Sequence, residues 1–161
     1  MSSVWPEPVE RVSTALRAAG AEARIEEFAD GTPTAEAAAA AVGCELGRIV
    51  KSLVFDCDGS WVLVLVPGDR RADAQKVARA TSANRARVAG AAQVVAATGY
   101  EPGAVAPVGL TGVQRVLLDR RIPAEGILWV GAGSSRHMAG LPASELLRVT
   151  KGELSDVAED T

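Results

Sequence analysis

The sequence predicts an α/β protein of the α+β type, with a mixed, curved, barrel-like β-sheet surrounded by helices. Three observations carry that expectation. Segments with helical spacing are interleaved with strand-like apolar runs along most of the 161 residues. An Asp-Gly turn joins two adjacent apolar runs into a hairpin, which excludes a wholly parallel sheet. Hydrophobic residues make up 48% and charged residues 23% of the chain, enough apolar surface at this length for one core.

The elements follow in order. Val9, Val12, Leu16 and Ala19 fall at helical spacing and Gly20 follows as a stop, so 7–19 reads as an amphipathic helix. Residues 23–28 read as a strand. The turn Asp30-Gly31-Thr32-Pro33 leads into an alanine-rich helix ending at Val42, with Thr32 or Thr34 as its cap and Gly43 closing it. Strands 48–55 and 61–66 flank the turn Asp56-Cys57-Asp58-Gly59-Ser60, and Pro67-Gly68-Asp69 ends the hairpin. A helix at 72–80 uses Ala74, Val77 and Ala78. A short strand at 86–88 and a helix at 90–98 come next, with Gly99 at the stop. Residues 99–112 are too rich in Gly and Pro for regular structure. Strands at 113–119 and 126–130, a glycine-rich stretch from Gly131 to His137 and a helix at about 143–148 complete the pattern. Residues 1–150 are expected to form a single domain, and the acidic segment 151–161 is expected to be loose.

Composition excludes several function classes. The longest apolar run, Trp61 to Val66, is far too short to span a membrane. The beginning of the chain lacks the basic and apolar regions of a signal peptide. Two cysteines, Cys44 and Cys57, give no disulfide framework, and with a single histidine no metal site is expected. These features read as a cytoplasmic protein with reduced thiols and no cofactor. The net charge of −3 argues against a general nucleic-acid coat. Its distribution is uneven, however. Residues 1–46 carry three basic and eight acidic groups, whereas 69–87 carry six basic groups against Asp69 and Asp73. Such a basic patch suits brief contact with a phosphate backbone, and equally well a solvated helix face.

The most informative residue is Lys51, a cation within the apolar strand Ile49-Val50-Lys51-Ser52-Leu53-Val54-Phe55. Strand alternation puts Ile49, Lys51, Leu53 and Phe55 on one face and Val50, Ser52 and Val54 on the other, and both faces read as buried. An unpaired charge there costs several kcal/mol or neutralises, so a partner is expected, and a ligand is the leading candidate. The alternative is that Lys51 lies near the strand end and snorkels to solvent.

Two glycine-bearing loops, Gly103-Ala104-Val105-Ala106-Pro107 and Gly131-Ala132-Gly133-Ser134, would let backbone groups approach a ligand closely. Neither fits a phosphate-binding P-loop or a dinucleotide fingerprint. His137 lies beside Ser134 and Ser135, but no Gly-x-Ser-x-Gly elbow exists. A serine hydrolase is therefore the weaker reading, and a hydrogen-bonding residue at a pocket rim is the stronger.

Taken in order, these pieces are more specific than any one of them. The set comprises the Thr-Ala-Glu-Ala helix, Arg-Ile-Val-Lys-Ser-Leu-Val-Phe, the Asp-Gly turn and Trp-Val-Leu-Val-Leu-Val-Pro-Gly-Asp-Arg-Arg. It continues through Thr-Gly-Tyr-Glu-Pro-Gly-Ala-Val-Ala-Pro-Val-Gly-Leu to Trp-Val-Gly-Ala-Gly-Ser. Over about residues 8–149 the chain closely resembles the YbaK family of aminoacyl-tRNA deacylases, which includes the editing domain inserted in bacterial prolyl-tRNA synthetases.

The resemblance implies the family's barrel-like fold and assigns its strand lysine to Lys51. It also implies that Gly103 to Pro107, including Ala104 and Val105, hold the terminal adenosine and the ester, with Gly131, Gly133 and Ser134 facing them. His137 matches a histidine that only some members use. Leu141, where many members have Ser or Thr, is a departure expected to affect only the cap of the last helix.

The implied reaction is trans-acting hydrolysis of the ester on a mischarged tRNA, such as tRNA-Pro carrying Ala or Cys. The family implies that a positioned water attacks with help from the neighbouring ribose hydroxyl, which needs no protein nucleophile. The implied partners are the aminoacyl-tRNA acceptor end and a synthetase in a transient complex, with Arg70 and Arg71 as candidate tRNA contacts. A regulatory module binding an amino acid or nucleotide without turnover is the rival class. Oligomeric state is not legible.

Overall fold

A computed structural model describes residues 5–160. The first four residues and Thr161, which belong to the expected domain and acidic segment, lie outside the described residues. Helix α1 (Glu7–Ala18) buries Val9, Val12 and Leu16 along one stripe, and β1 (Arg24–Glu27) follows. Helix α2 (Ala35–Val42) is capped by Thr34, whose hydroxyl accepts from the Ala37 N–H at 3.0 Å. A short 3-10 turn, Leu46–Arg48, leads into β2 (Ile49–Cys57), which turns back as β3 (Ser60–Pro67). The hairpin turn is tighter than the five residues expected. Only Asp58 and Gly59 separate the strands, with φ of 54° and 93°, the positive pair that a two-residue turn of matching twist requires.

Helix α3 (Ala74–Thr81) starts at Asp73, whose carboxylate accepts from the N–H groups of Gln75 and Lys76. Then come β4 (Ala86–Val88), α4 (Ala91–Thr98), β5 (Arg115–Asp119), β6 (Ile127–Gly131), β7 (His137–Pro142), α5 (Ala143–Thr150) and β8 (Glu153–Ser155). Residues 99–112 form no helix or strand, as expected.

The strands form one mixed sheet in the order β1-β7-β6-β2-β3-β5-β8, with β4 also paired to β2, and five helices surround it. It is mixed because β2 and β3 are antiparallel while β3–β5, β5–β8 and β2–β6 are parallel. The sheet does not close: among the described residues, β1 and β8 remain its two ends.

Central β3 is covered on both faces. Leu63 and Leu65 join Val12, Leu16, Ala97, Tyr100 and Leu146, whereas Val62, Val64 and Val66 join Phe55, Val77, Leu117, Val157 and Ala158. That explains an unbroken apolar run in a strand, since each of these side chains gains about 1.5–3 kcal/mol from burial.

Two strands escape the sequence reading. β7, His-Met-Ala-Gly-Leu-Pro, contains no β-branched residue and carries both Gly and Pro, so its propensity is poor. It is a strand because β1 and β6 pair on its two sides, and because Gly140 leaves room for the Trp129 ring opposite it. Leu141 is buried within it, and the cap residue of α5 is Pro142.

The second missed strand corrects the expectation of a loose segment after residue 150. Glu153–Ser155 pairs with β5, and Val157 and Ala158 are fully buried. The carboxylate of Asp119, itself fully buried, accepts from the N–H groups of both at 3.0 Å. The segment's acidity is matched locally. Lys76 and Arg121 hold the Asp156 carboxyl down at about 2, with Lys76 the larger cause.

Candidate active site

β2 pairs with β3 along its whole length, but its other edge is divided. Ile49 and Val50 pair with β6, and Phe55 to Cys57 pair with β4. Val54 is met from that side by the Ala89 N–H at 2.9 Å. Residues 51–53 have no strand beside them there, and all three are half-buried. In a strand, residues two apart direct their N–H and C=O to the same edge, so Ser52 shares the open edge with Val54. A gap of three residues in an otherwise paired strand leaves a cleft.

That cleft has a volume of about 320 Å³. Its floor is Ile49 to Leu53, and residues from both faces of β2 reach it because it lies along the strand's edge. Thr32 to Ala35 and Ala38, at the start of α2, form one wall, and Gly103 with Val105 forms another. Gly131, Ser134, His137 and Met138 complete it. A roomier hollow of about 430 Å³ lies between β1 and β6, lined by Glu22, Arg24, Ile127 and Trp129 among others. Arg24 there is paired with Glu26, and no orphaned buried side-chain atom lines it among the described residues.

The cleft, in contrast, contains two buried polar atoms without partners, Ser52 Oγ and His137 Nε2. Such atoms cost about 1–3 kcal/mol each unless something satisfies them, and both belong to residues that line the cleft. The other ring nitrogen of His137 has a partner. Ser134 Oγ accepts from the Arg136 N–H at 3.0 Å and lies 2.6 Å from His137 Nδ1. The serine and the imidazole share one hydrogen bond, in which Nδ1 donates or accepts according to the tautomer, and Nε2 is the ring nitrogen left without a partner. A Ser-His-Asp triad needs a carboxylate on the imidazole nitrogen away from the serine, and that nitrogen is the unpartnered one. The serine-hydrolase reading is set aside on this geometry.

Lys51 is half-buried, and its Nζ donates to the Arg70 carbonyl at 2.6 Å. The partner that a cation in an apolar strand calls for is thus supplied in part by the chain itself, through a backbone carbonyl. One of its three donors is used, and Lys51 lines the cleft as well as an adjoining hollow that also contains Glu36, Asp69, Arg70 and Arg71. Burial lowers its affinity for the proton. Glu36 opposes that shift, Arg71 adds to it and Asp69 opposes it.

The two glycine-bearing loops meet backbone to backbone. Gly133 N–H donates to the Ala104 carbonyl at 3.0 Å, and a Cβ on Gly131 would lie 2.5 Å from the Val105 carbonyl oxygen. Gly133 has φ of 98° and sits against the backbone of Pro8, where no side chain fits. Among the expected site residues, then, Lys51, Gly103, Val105, Gly131, Ser134 and His137 line the cleft. Ala104, Pro107 and Gly133 do not line it. Ala104 and Gly133 support it through their mutual hydrogen bond, and Pro107 is buried.

Arg70 and Arg71 line the adjoining hollow, but the Arg70 guanidinium is committed to the Glu159 and Asp160 carbonyls. Ser52, the start of α2 and Met138 were not anticipated. Ser52 carried a signal, as a polar side chain beside a lysine in an apolar strand. The α2 wall carried none.

The family model described as aminoacyl-tRNA editing domain matches residues 29–149. Protein YwhH of Bacillus subtilis is uncharacterized and is 34% identical over 123 residues, covering 76% of this chain and 78% of its own. A proline–tRNA ligase of Xanthomonas oryzae pv. oryzae is 34% identical over 137 residues, which are 83% of this chain but 24% of the ligase, so the chain spans about a quarter of that relative. A crystal structure of a candidate trans-editing enzyme for prolyl tRNA synthetase superposes with a TM-score of 0.90 at 33% identity, covering 97% of this chain and 99% of that one. Among the described residues no helix is long and apolar enough to cross a membrane.

Proposed function

The chain belongs to the aminoacyl-tRNA editing domain family, and from that membership we infer that it hydrolyses the ester of a mischarged tRNA in trans. One observation supports this reading above the rest. Lys51, the Gly103–Val105 wall and the Gly131–His137 loop converge on a single cleft that holds unsatisfied polar atoms.

An ester is already an activated carbonyl, so a held water suffices as nucleophile once the ester is oriented and the charge growing on its oxygen is met. The Lys51 ammonium is the group to meet that charge, and two of its donors remain after the Arg70 carbonyl is served. His137 and Ser52 are the polar side chains of the cleft that would meet the terminal ribose or the aminoacyl group. The neighbouring ribose hydroxyl, as in the family, helps activate the water.

The amino acid removed is a small one, Ala or Cys on tRNA-Pro. Ile49, Val50, Leu53, Val105 and Met138 make the walls of the cleft apolar, which suits a small aliphatic or thiol side chain. A second sieve is useful because a synthetase distinguishes one methylene by only about 1–3 kcal/mol. The test is amino-acid release under multiple turnover from a panel of mischarged tRNAs. Catalytic release from one small-residue member supports the reading, whereas stoichiometric binding without turnover supports a regulatory module.

Two expected results follow here. If the cationic amine is what acts, the enzymatic rate falls on the alkaline side. Burial places that fall below the ordinary lysine value of about 10.4. It is read from a pH–rate profile after subtracting hydroxide-driven hydrolysis, and an enzymatic rate still level at pH values above 10.4 would contradict it. Arg71 is exposed on the rim of the adjoining hollow and is the residue for a phosphate contact. Arg71→Glu should weaken tRNA binding several-fold at low salt and reduce the slope of log K against log salt by about one. Equal affinities at low and moderate salt would remove this contact.

A further inference from the structure

Lys51 is a flexible four-carbon side chain carrying about 2 kcal/mol of rotamer entropy, so a defined amine position needs an anchor. That anchor is the Arg70 carbonyl, 2.6 Å from Nζ. Arg70 belongs to the loop between β3 and α3, and the segment after β8 holds this loop. Arg70 Nη1 donates to the carbonyls of Glu159 at 3.1 Å and Asp160 at 2.5 Å. In return, Glu159 N–H donates to the Arg71 carbonyl at 2.8 Å. Asp73 N–H donates to the Val157 carbonyl at 2.8 Å, and Ala72 and Ala158 form an antiparallel bridge.

The segment is itself fixed from beneath. Asp119 takes the N–H groups of Val157 and Ala158, and the Lys76 ammonium touches Asp156, Asp160 and the Ala158 carbonyl at 2.6–2.9 Å. Arg121 adds bonds to Asp156 and Asp160 at 2.9 Å each.

We propose that the segment Asp156–Asp160 is a positioning element of the active site, acting through Arg70 to hold the loop carbonyl that aims the Lys51 ammonium into the cleft. Its catalytic consequence rests on the deacylase reading. The segment lies beyond residue 149, where the family match ends, so membership alone does not assign it this role. Arg70 is thereby a positioning residue. Its side chain serves the segment while its main chain serves the amine.

The experiment uses the chain's three lysines, Lys51, Lys76 and Lys151. Relaxation of 13C at their ε-carbons reports how ordered each side chain is, and exposed Lys151 supplies the mobile reference. Arg70→Met keeps the backbone carbonyl but loses the bonds to Glu159 and Asp160. It is expected to reduce the Lys51 order parameter towards that of Lys151 and to lower kcat about tenfold with KM within twofold. A chain ended after Ala158 keeps the buried Val157 and Ala158 and is expected to do the same. In a Lys51→Ala background neither change should slow the residual reaction further.

The proposal is overturned if Lys51 stays as ordered as in the unmodified chain in both folded variants. It is overturned equally if the rate loss persists in full without the lysine. Absence of deacylation by the unmodified chain would refute the proposed function, and the ε-carbon measurement would still decide the mechanical link.

Discussion

Lys51→Ala is expected to lower the single-turnover rate of deacylation by about 10²–10³, a loss of about 2.7–4 kcal/mol in transition-state stabilisation. The estimate follows from the position of the amine. Lys51 is half-buried in an apolar strand, lines the cleft, and has donors left for an oxygen that gains charge during attack. Partly withdrawn from water, a cation counts for more than it would in bulk solvent. The fold should hardly notice the change. The only bond lost among the described residues is the one to the Arg70 carbonyl, and the loop bearing that carbonyl is fastened independently. Thermal unfolding should therefore shift by no more than about 1 kcal/mol in stability. A variant that keeps most of its rate on a mischarged tRNA, yet melts normally, would refute the chemical role of this side chain.

Gly131→Ala is the second substitution with a large expected effect, and its cause is steric. The added carbon would sit 2.5 Å from the Val105 carbonyl oxygen and 3.3 Å from its carbon. Both are backbone atoms and cannot rotate aside, so the two loops must part. Overpacking of this kind costs about 1–3 kcal/mol in stability. Catalysis should suffer more, because a displacement near 1 Å at a positioned carbonyl can cost about 10²-fold in rate. The expected outcome is a folded protein with kcat reduced about 10²-fold, a lowered Tm and little change in tRNA binding, which is checked by kinetics beside a melting curve. An unchanged kcat would mean that the ester does not depend on the spacing of these walls.

Much of this site was legible along the chain, for identifiable reasons. Lys51 stood out because a charge in an apolar strand conflicts with its surroundings, and such conflicts are visible without coordinates. The loops at Gly103 and Gly131 were visible because residues that break regular structure are concentrated there. Their mutual contact was not, since Ala104 and Gly133 are bonded across a separation that no local pattern records. The divided edge of β2 was equally hidden. It arises because β4 and β6 each cover only part of one strand, a property of pairing partners rather than of β2 itself.

The count of charges along the chain is incomplete for a related reason. Six basic groups within residues 69–87 suggested a surface for phosphates, but Lys76 and Arg70 are occupied by residues 156–160, and Arg85 and Arg87 border a hollow with Asp56 and Asp58. A window along the sequence adds neighbours in the chain, whereas neutralisation happens between neighbours in space. The same neglect of distant partners left the segment after residue 150 looking loose. It was judged by its acidity and not by the cations awaiting it.

The interrupted margin of β2 has a consequence for how the protein avoids its own kind. An uncovered stretch of strand edge beside Ile, Val, Leu and Phe invites strand addition from another molecule, the first step toward cross-β aggregates, and a lysine at such a place is a common deterrent. The ammonium at position 51 thus guards the opening it serves. Neutral substitutions there should raise turbidity in concentrated stocks even where melting is normal, so the kinetics of such variants belong at low micromolar protein.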